Sequence, residues 1–326
     1  MSGVVSWARR WGVSVASLAG GLLTLFVFRR GVPHVGWIVG YLILLWLVFA
    51  ALAETRSMLE ERGHRLVVSA ADYTIQSLYH GLLVFVLPAY WASTTLTSPN
   101  VLFLTVLVWL ALVATFDPWY RALVHPRPWL NHVFFVVAIF AALTVALPLV
   151  GFPPIAALLL SAWLAVMALT PAVRRAREWS WPTACAVTSG AALAAMMVVS
   201  LGRGGIPPVP LSLADAAMAR DVADGEPRQR LDGSLRAADL HAGGLVAYTA
   251  VYAPAGLRQP VQHEWRHSGR LVESVSLSPV FGGRRRGFRT YSRKSAFPED
   301  ATGPWTVDVT TSTGQLIGRL RFRVTP

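Results

Sequence analysis

Asp72, Gln76 and His80 stand four residues apart in an otherwise apolar stretch. On a helix that spacing puts all three on one face. In a membrane span, unpartnered polar groups are costly, so such a face turns towards the bundle interior or a wet cavity. A carboxylate, an amide and an imidazole in a row can relay a proton, hold an ion or orient a small substrate. Asp117 and Glu54 are expected at the same edge. The plainer reading, and the preferred one, is interhelical hydrogen bonding, with Asp72 and Asp117 wet at the ends of their spans.

Other groups invite chemistry. His125 and His132 flank the loop His125-Pro126-Arg127-Pro128-Trp129 and, with Asp117, offer nitrogen and oxygen metal ligands. Their spacing fits no zinc pattern, and an interfacial loop anchored by Trp129 explains it better. His263, Trp265 and His267 share one face of a strand. If Trp265 enters the core, His263 is a buried, hydrogen-bonded histidine rather than half of a metal-binding pair.

The densest basic cluster is Arg284, Arg285, Arg286, Arg289, Arg293 and Lys294, interleaved with Phe288 and Tyr291. Alternation buries Phe288, Thr290 and Ser292, with Lys294 on the same side, and exposes the row Arg289, Tyr291 and Arg293. Guanidinium groups beside a ring suit phosphate or carboxylate, so Arg289, Tyr291, Arg293 and Lys294 are the ligand-binding candidates. The competing reading is an edge strand kept from aggregating by its charge. No catalytic triad, nucleophile elbow, phosphate loop, dinucleotide fingerprint or zinc-protease helix is present. No catalytic residue, metal ligand or cofactor is assigned, and a non-enzymatic role is favoured.

The elements that must position these groups follow from composition. Of 326 residues 54% are hydrophobic and 14% charged, against about 25% charged in soluble domains. Of the net charge of +12, seven units fall before Leu213 and five after it; much of the first seven lies in short loops between apolar runs, as the positive-inside rule requires, and no nucleic-acid motif accompanies it. Lys294 is the only lysine, and Cys185 the only cysteine. An intramolecular disulfide is therefore excluded, and an exported domain must rely on its core.

A helix needs roughly 20 apolar residues to cross a bilayer. Seven runs qualify: Trp11–Phe28, Val35–Ala53, Tyr73–Trp91, Val101–Phe116, Leu130–Val150, Pro154–Thr170 and Thr183–Leu201. The first is read as a retained span and not a cleaved signal. Ten arginines (9, 10, 56, 62, 65, 121, 127, 174, 175 and 177) fall on one side of this arrangement and three (29, 30 and 203) on the other. That asymmetry places the N-terminus in the cytoplasm and the C-terminal region outside.

Residues 204–212, rich in Gly and Pro, read as a semi-rigid linker. Beyond it the hydrophobic period becomes two. Val261–His267, Trp305–Val309 and Leu320–Val324 alternate strictly, and Leu245–Tyr252, Leu271–Leu277 and Gly287–Arg293 are further strands. Ser268-Gly269, Gly282-Gly283 and Thr313-Gly314 supply turns.

The stretch from Leu213 to Pro326 resembles an uncharacterised bacterial domain family of unknown function, often tethered to membranes. The residues that carry the resemblance are Ala219-Arg220-Asp221-Val222, Glu226-Pro227, His263-Glu264-Trp265, Gly287 through Lys294, Gly303-Pro304-Trp305 and the strand Gly318–Val324. Tyr291 stands where the family more usually has Trp. The membrane part is similar to an uncharacterised N-terminal domain fused to that module, through Asp72–His80, Leu87 to Trp91 and Phe116-Asp117-Pro118. Neither resemblance implies an activity.

The expected fold is a membrane all-α bundle of about seven transmembrane helices (1–203), the linker (204–212) and an all-β, immunoglobulin-like antiparallel sandwich (213–326). The expected protein is a multi-pass component of the bacterial inner membrane with a periplasmic or extracellular C-terminal domain. Its partners are the lipid bilayer and an anionic glycan, lipid headgroup or envelope protein, with no nucleic acid. The alternative is a transporter or enzyme built on Asp72, Gln76, His80 and Asp117.

Overall fold

The computed structural model describes residues 35–231 and 233–326, in two compact units. One unit takes in the chain up to Pro88, Thr105–Leu147 and Ala156–Gly202; the other takes in Ala89–Leu104, Pro148–Ile155 and Arg203–Pro326.

The helices are α1 (Val35–Glu61), α2 (Arg65–Ala92), α3 (Val101–Thr115), α4 (Asp117–Leu123), α5 (Pro128–Leu149), α6 (Pro154–Met167), α7 (Thr170–Arg177) and α8 (Trp181–Leu201). On α2, Ile75, Tyr79, Leu82, Leu83 and Val86 recur at helical spacing and are buried. They form the stripe that meets α5, where the Phe134 ring lies 5.8 Å from that of Tyr79. Phe49 of α1 stacks on Phe135 with ring centroids 3.9 Å apart. On α8 the buried positions are small, Ala184, Thr188 and Ala192. The Thr188 hydroxyl meets that of Thr170 at 2.9 Å, close packing of the kind that joins helices in lipid. α8 also exposes Leu193, Met197 and Val198.

Three described helices are long and apolar enough to cross a membrane: Pro128–Leu149, Pro154–Arg177 and Trp181–Leu201. A fourth is counted if α3 and α4, bent by 105°, are one broken span. The described helices thus do not support the expected count of seven. The run Val101–Phe116 yields a helix of only 15 residues, because Asp117-Pro118 turns the chain before it can cross. The run Trp11–Phe28 lies outside the described residues.

After a 3₁₀ turn at Arg203–Gly205, the remaining strands are β1 (Ser212–Ala223), β2 (Glu226–Arg230), β3 (Ser234–Arg236), β4 (Leu245–Tyr252), β5 (Arg258–Gln259), β6 (Val261–His267), β7 (Arg270–Ser276), β8 (Val280–Phe281), β9 (Phe288–Lys294), β10 (Gly303–Thr311) and β11 (Leu316–Thr325). A short helix, α9 (Ala237–Gly243), precedes β4. One sheet has the order β2-β1-β4-β9, a second β3-β11-β10-β6-β7, and β5-β8 form a two-stranded ribbon. β3 pairs with β11 in parallel, so the region is not wholly antiparallel. Hairpin turns at Asp224-Gly225 and Ser268-Gly269 have both residues at positive φ, the backbone of a turn matched to strand twist.

Both sheets contribute to one core, among them Ala247 and Val251 of β4, and Trp265, Trp305, Val307 and Phe322 of the facing sheet. The Trp305 and Phe322 rings stack 5.9 Å apart. Both indole N–H groups are satisfied: Trp305 donates to the Ala301 carbonyl at 2.8 Å and Trp265 to the Ser292 hydroxyl at 3.1 Å.

The stretch 204–212 is packed, not a solvent-exposed spacer. Val209 and Leu211 are buried, and Leu211 belongs to the β core. Arg203 Nε donates to the Thr313 carbonyl at 2.7 Å. The connection between α2 and α3 lies in the same unit: Asn100 Nδ2 donates to the Leu316 carbonyl at 3.4 Å and Arg319 Nη1 to the Thr97 carbonyl at 3.3 Å.

Candidate functional site

The α2 row divides into two roles. Gln76 and His80 are buried, and both brace the end of α3. Gln76 Nε2 donates to the Ala114 carbonyl at 3.1 Å, and His80 Nδ1 lies 2.8 Å from the Thr115 hydroxyl. That hydroxyl in turn donates to the Ala111 carbonyl at 2.6 Å. Asp72, one turn earlier, is half-buried and lines a cleft of about 640 Å³ with Val68, Ser69, Tyr73, Gln76, Arg121 and His125. Asp117 is not in that lining; its carboxylate pairs with Arg121 at 3.1 Å across one turn of α4. The side chain of Glu54 lies outside the described ones.

Asn131 Oδ1 accepts from the phenols of Tyr79 at 3.2 Å and Tyr120 at 3.3 Å. His125 packs edge-on to Tyr120, and His132 edge-on to Phe49. Among the described residues no group of three or more His, Cys, Asp or Glu is placed to hold a metal.

In the β region His263 is fully buried between the sheets. Its Nδ1 lies 2.8 Å from the Ser292 hydroxyl and its Nε2 3.0 Å from the Thr249 hydroxyl. Burial holds its pKa down to about 4, so the ring is neutral at pH 7. His267 stacks on Trp305 at 4.6 Å and donates from Nε2 to the Thr302 carbonyl. Both histidines have structural partners.

β9 alternates as its sequence predicts, with Arg289, Tyr291 and Arg293 exposed, Thr290, Ser292 and Lys294 buried, and Phe288 half-buried. The row carries its own counter-charges. Arg289 pairs with Glu226 at 2.6 Å and Arg293 with Asp221, both acids borne by the β1–β2 hairpin. On the same hairpin, Arg230 makes two hydrogen bonds to Asp215 and holds that carboxyl below the usual range. Lys294 points the other way, to Glu273 at 2.5 Å, with its ammonium 5.4 Å from the Phe297 ring centre.

Positive charge without a carboxylate lies instead at the β8–β9 loop. Arg258, Arg284, Arg285 and Arg286 are exposed and none has an ion-pair partner among the described residues. The Arg258 guanidinium stands 5.4 Å from the centre of the half-exposed Phe281 ring, and Arg284 4.9 Å from that of Phe288. The two rings are 5.9 Å apart.

Two glycines allow this fold-back. A Cβ on Gly282 would stand 1.6 Å from the Pro254 carbonyl oxygen, and Gly287 has φ +78 with Ala250 backbone 2.8 Å from where its Cβ would be. Sequence reasoning named Arg284–Arg286 as part of the cluster but missed Arg258 and Phe281. Their pairing across β5 and β8 joins residues 23 apart in sequence, and no local pattern marks it.

A family model described as a family of unknown function (DUF5924) matches residues 2–247, and one described as a protein of unknown function (DUF2914) matches residues 258–324. No curated protein and no solved structure matches the chain. The first match runs through the helices and the stretch 204–212 into β4. The four-stranded sheet therefore takes β1, β2 and the start of β4 from one family region and β9 from the other.

Proposed function

The chain belongs to the DUF5924 family of unknown function, and from that premise we propose that it is a multi-pass protein of the bacterial inner membrane whose exterior, immunoglobulin-like β-domain binds an anionic envelope component, a lipid headgroup or an acidic glycan. The observation that carries this reading is the contrast between two groups of arginines. Arg289 and Arg293 are neutralised by Glu226 and Asp221, whereas Arg258, Arg284, Arg285 and Arg286 are exposed without acidic partners among the described residues, Arg258 over the Phe281 ring and Arg284 over that of Phe288. Guanidinium forks beside rings suit phosphate and carboxylate oxygens. The ten-to-three arginine asymmetry of the loops supports an exterior location.

The alternative, a transporter or enzyme built on Asp72, Gln76 and His80, is weakened because two of its three groups brace α3.

The test uses the full chain in nanodiscs of neutral phosphatidylcholine. Capture is measured on phosphatidylglycerol vesicles and on an immobilised uronic-acid polysaccharide. Salt-sensitive capture should be lost when Arg258, Arg284, Arg285 and Arg286 are all changed to Ser, and kept in Arg289→Ala/Arg293→Ala. Equal capture of the fourfold variant, or none by the wild type on either surface, overturns the reading.

A further inference from the structure

The five-stranded sheet buries one face in the core and turns the other outward. On the outward face Asp308 is held by Arg319 and Arg266, and Glu264 by Arg266. Arg321 and Arg323 of β11 share that face with Arg319, because alternate residues of a strand point the same way. β3 runs parallel to β11, with Ser234 opposite Arg323 and Arg236 opposite Thr325, so Arg236 joins them. Arg236, Arg321 and Arg323 are exposed, and none has an ion-pair partner among the described residues. Alternate positions on a strand are about 7 Å apart and neighbouring strands about 5 Å, so the three guanidinium groups form one patch.

The position of β11 gives this patch its surroundings. α8 is long and apolar enough to cross a membrane and ends at Leu201. Just beyond it, Arg203 Nε donates to the Thr313 carbonyl at 2.7 Å, in the turn from which β11 starts. The connection Pro148–Ile155, between the other two helices of that kind, belongs to the same unit as the β-domain and exposes Val150 and Phe152. Arg319 fixes the direction of the face. Its Nη1 donates to the Thr97 carbonyl at 3.3 Å, so the α2–α3 connection lies on the outward side of the sheet. That connection is in the same unit and exposes Leu96. The outward face therefore opens on the side of these connections, and its arginines follow β11 away from them.

We infer that this face lies against the bilayer that holds the helices, and that Arg236, Arg321 and Arg323 bind the phosphates of its anionic lipid headgroups. The inference rests on the membrane-anchored, exterior placement of the β-domain and shares no residue with the β8–β9 loop. Guanidinium forks match phosphate oxygens. The tether makes the chain's own bilayer the phosphate surface of highest local concentration. Such docking fixes the orientation of the β-domain on the membrane and responds to the anionic lipid content beneath it.

The experiment uses the full chain, with Cys185→Ser and a fluorophore on Ser234→Cys, in phosphatidylcholine nanodiscs with or without phosphatidylglycerol. Quenching by a headgroup spin-labelled lipid is read for this probe and for one on Asp224→Cys, in the β1–β2 turn of the other sheet. With phosphatidylglycerol present, the Ser234 probe should be quenched well above the Asp224 probe. The excess should fall without that lipid, and again in 1 M salt, where screening acts within about 3 Å. It should vanish when Arg236, Arg321 and Arg323 are all changed to Ser, since each arginine at an anionic surface favours contact about fivefold. The lipid and salt comparisons need no arginine variant, so they decide the matter even if the triple variant fails to fold. A chain that does not enter the nanodisc overturns the membrane reading and this inference with it. A chain that enters, but whose Ser234 probe is quenched no more than the Asp224 probe, or equally with and without phosphatidylglycerol, overturns this inference alone. Quenching retained by a folded triple variant does the same.

Discussion

Gln76 supplies the Ala114 carbonyl with the hydrogen bond that Pro118 cannot give. The donor of α-helical geometry for that carbonyl is the N–H four residues on, and position 118 is proline. Gln76 Nε2 occupies the vacancy at 3.1 Å, one turn from the His80 contact with Thr115. The 105° break between α3 and α4 is thus stabilised from α2. Gln76→Leu leaves a buried carbonyl unsatisfied and should destabilise the helical unit by about 1–3 kcal/mol. In a Pro118→Ala background an N–H is restored, and the same substitution should cost much less. Thermal unfolding of the four proteins in detergent gives the coupling; strict additivity would show that the amide and the proline are unrelated.

The buried His263 makes the β-domain sensitive to acid. Its folded pKa is lowered by burial to about 4, whereas in an unfolded chain the ring titrates near 6.5. Between those values the unfolded state binds the extra proton, so stability is complete above about pH 6.5 and declines as pH falls towards 4. The full loss is on the order of 3 kcal/mol. Denaturant unfolding of residues 203–326 at a series of pH values should show this decline. His263→Gln should flatten it, after an overall loss from its disturbed bonds to Ser292 and Thr249. A wild-type slope unchanged in that variant would assign the acid response to other groups.

The parts of this fold that were legible in the sequence are those in which each residue's neighbours decide its side. Strict alternation located β6, β9, β10 and β11, and the run Leu245–Tyr252 is β4 with the same bounds. β1 escaped because Ser212–Ala223 holds five alanines, poor strand formers with no alternation to read. It is a strand because β4 pairs with it from Ser212 to Ala219 and β2 from Ala219 to Ala223. Its hairpin was missed too, although Asp224-Gly225 is a strong turn signal. At the candidate sites the face of β9 was foreseen. The acids that neutralise it were not, because Glu226 and Asp221 reach Arg289 and Arg293 only through the tertiary fold. The α2 row was foreseen as one polar face, but its division into brace and cleft depends on the break at Pro118, 38 or more residues beyond the row.

Lys294 is a structural cation. Its side chain is 6% exposed and its ammonium meets Glu273 Oε2 at 2.5 Å, a bond that joins β9 to β7, which belong to different sheets. Removing only the acid leaves a buried ammonium poorly compensated, while Lys294→Met removes the charge and keeps most of the packing. Glu273→Gln should therefore cost about 1–3 kcal/mol, more than Lys294→Met, and Glu273→Gln should become nearly neutral once Lys294 is Met. Denaturant midpoints of the isolated region 203–326 measure this. A larger loss for Lys294→Met than for Glu273→Gln would mean that the lysine acts chiefly through its contact with Phe297.

The second family region should not fold by itself. Its match begins at Arg258, after β4 has been completed, and the first match ends at Ala247 inside β4. A fragment from Arg258 to the C-terminus keeps β9 but lacks β4, the strand that pairs with it from Leu245 to Val251. It also lacks Leu240, Leu245, Ala247 and Val251, which close the core over Trp265 and Trp305. Both larger sheets are thus drawn from two sequence regions, and their separation exposes apolar surface of each. The fragment 258–326 should be disordered or aggregated by circular dichroism, and 203–326 should give a cooperative β-rich transition. A start at 213 should lie between them, because it omits Leu211, a fully buried leucine of the core of a kind worth about 2–5 kcal/mol when truncated. A cooperative thermal transition in 258–326 alone would show that the second family region is a self-sufficient domain and that β1 and β4 are additions to it.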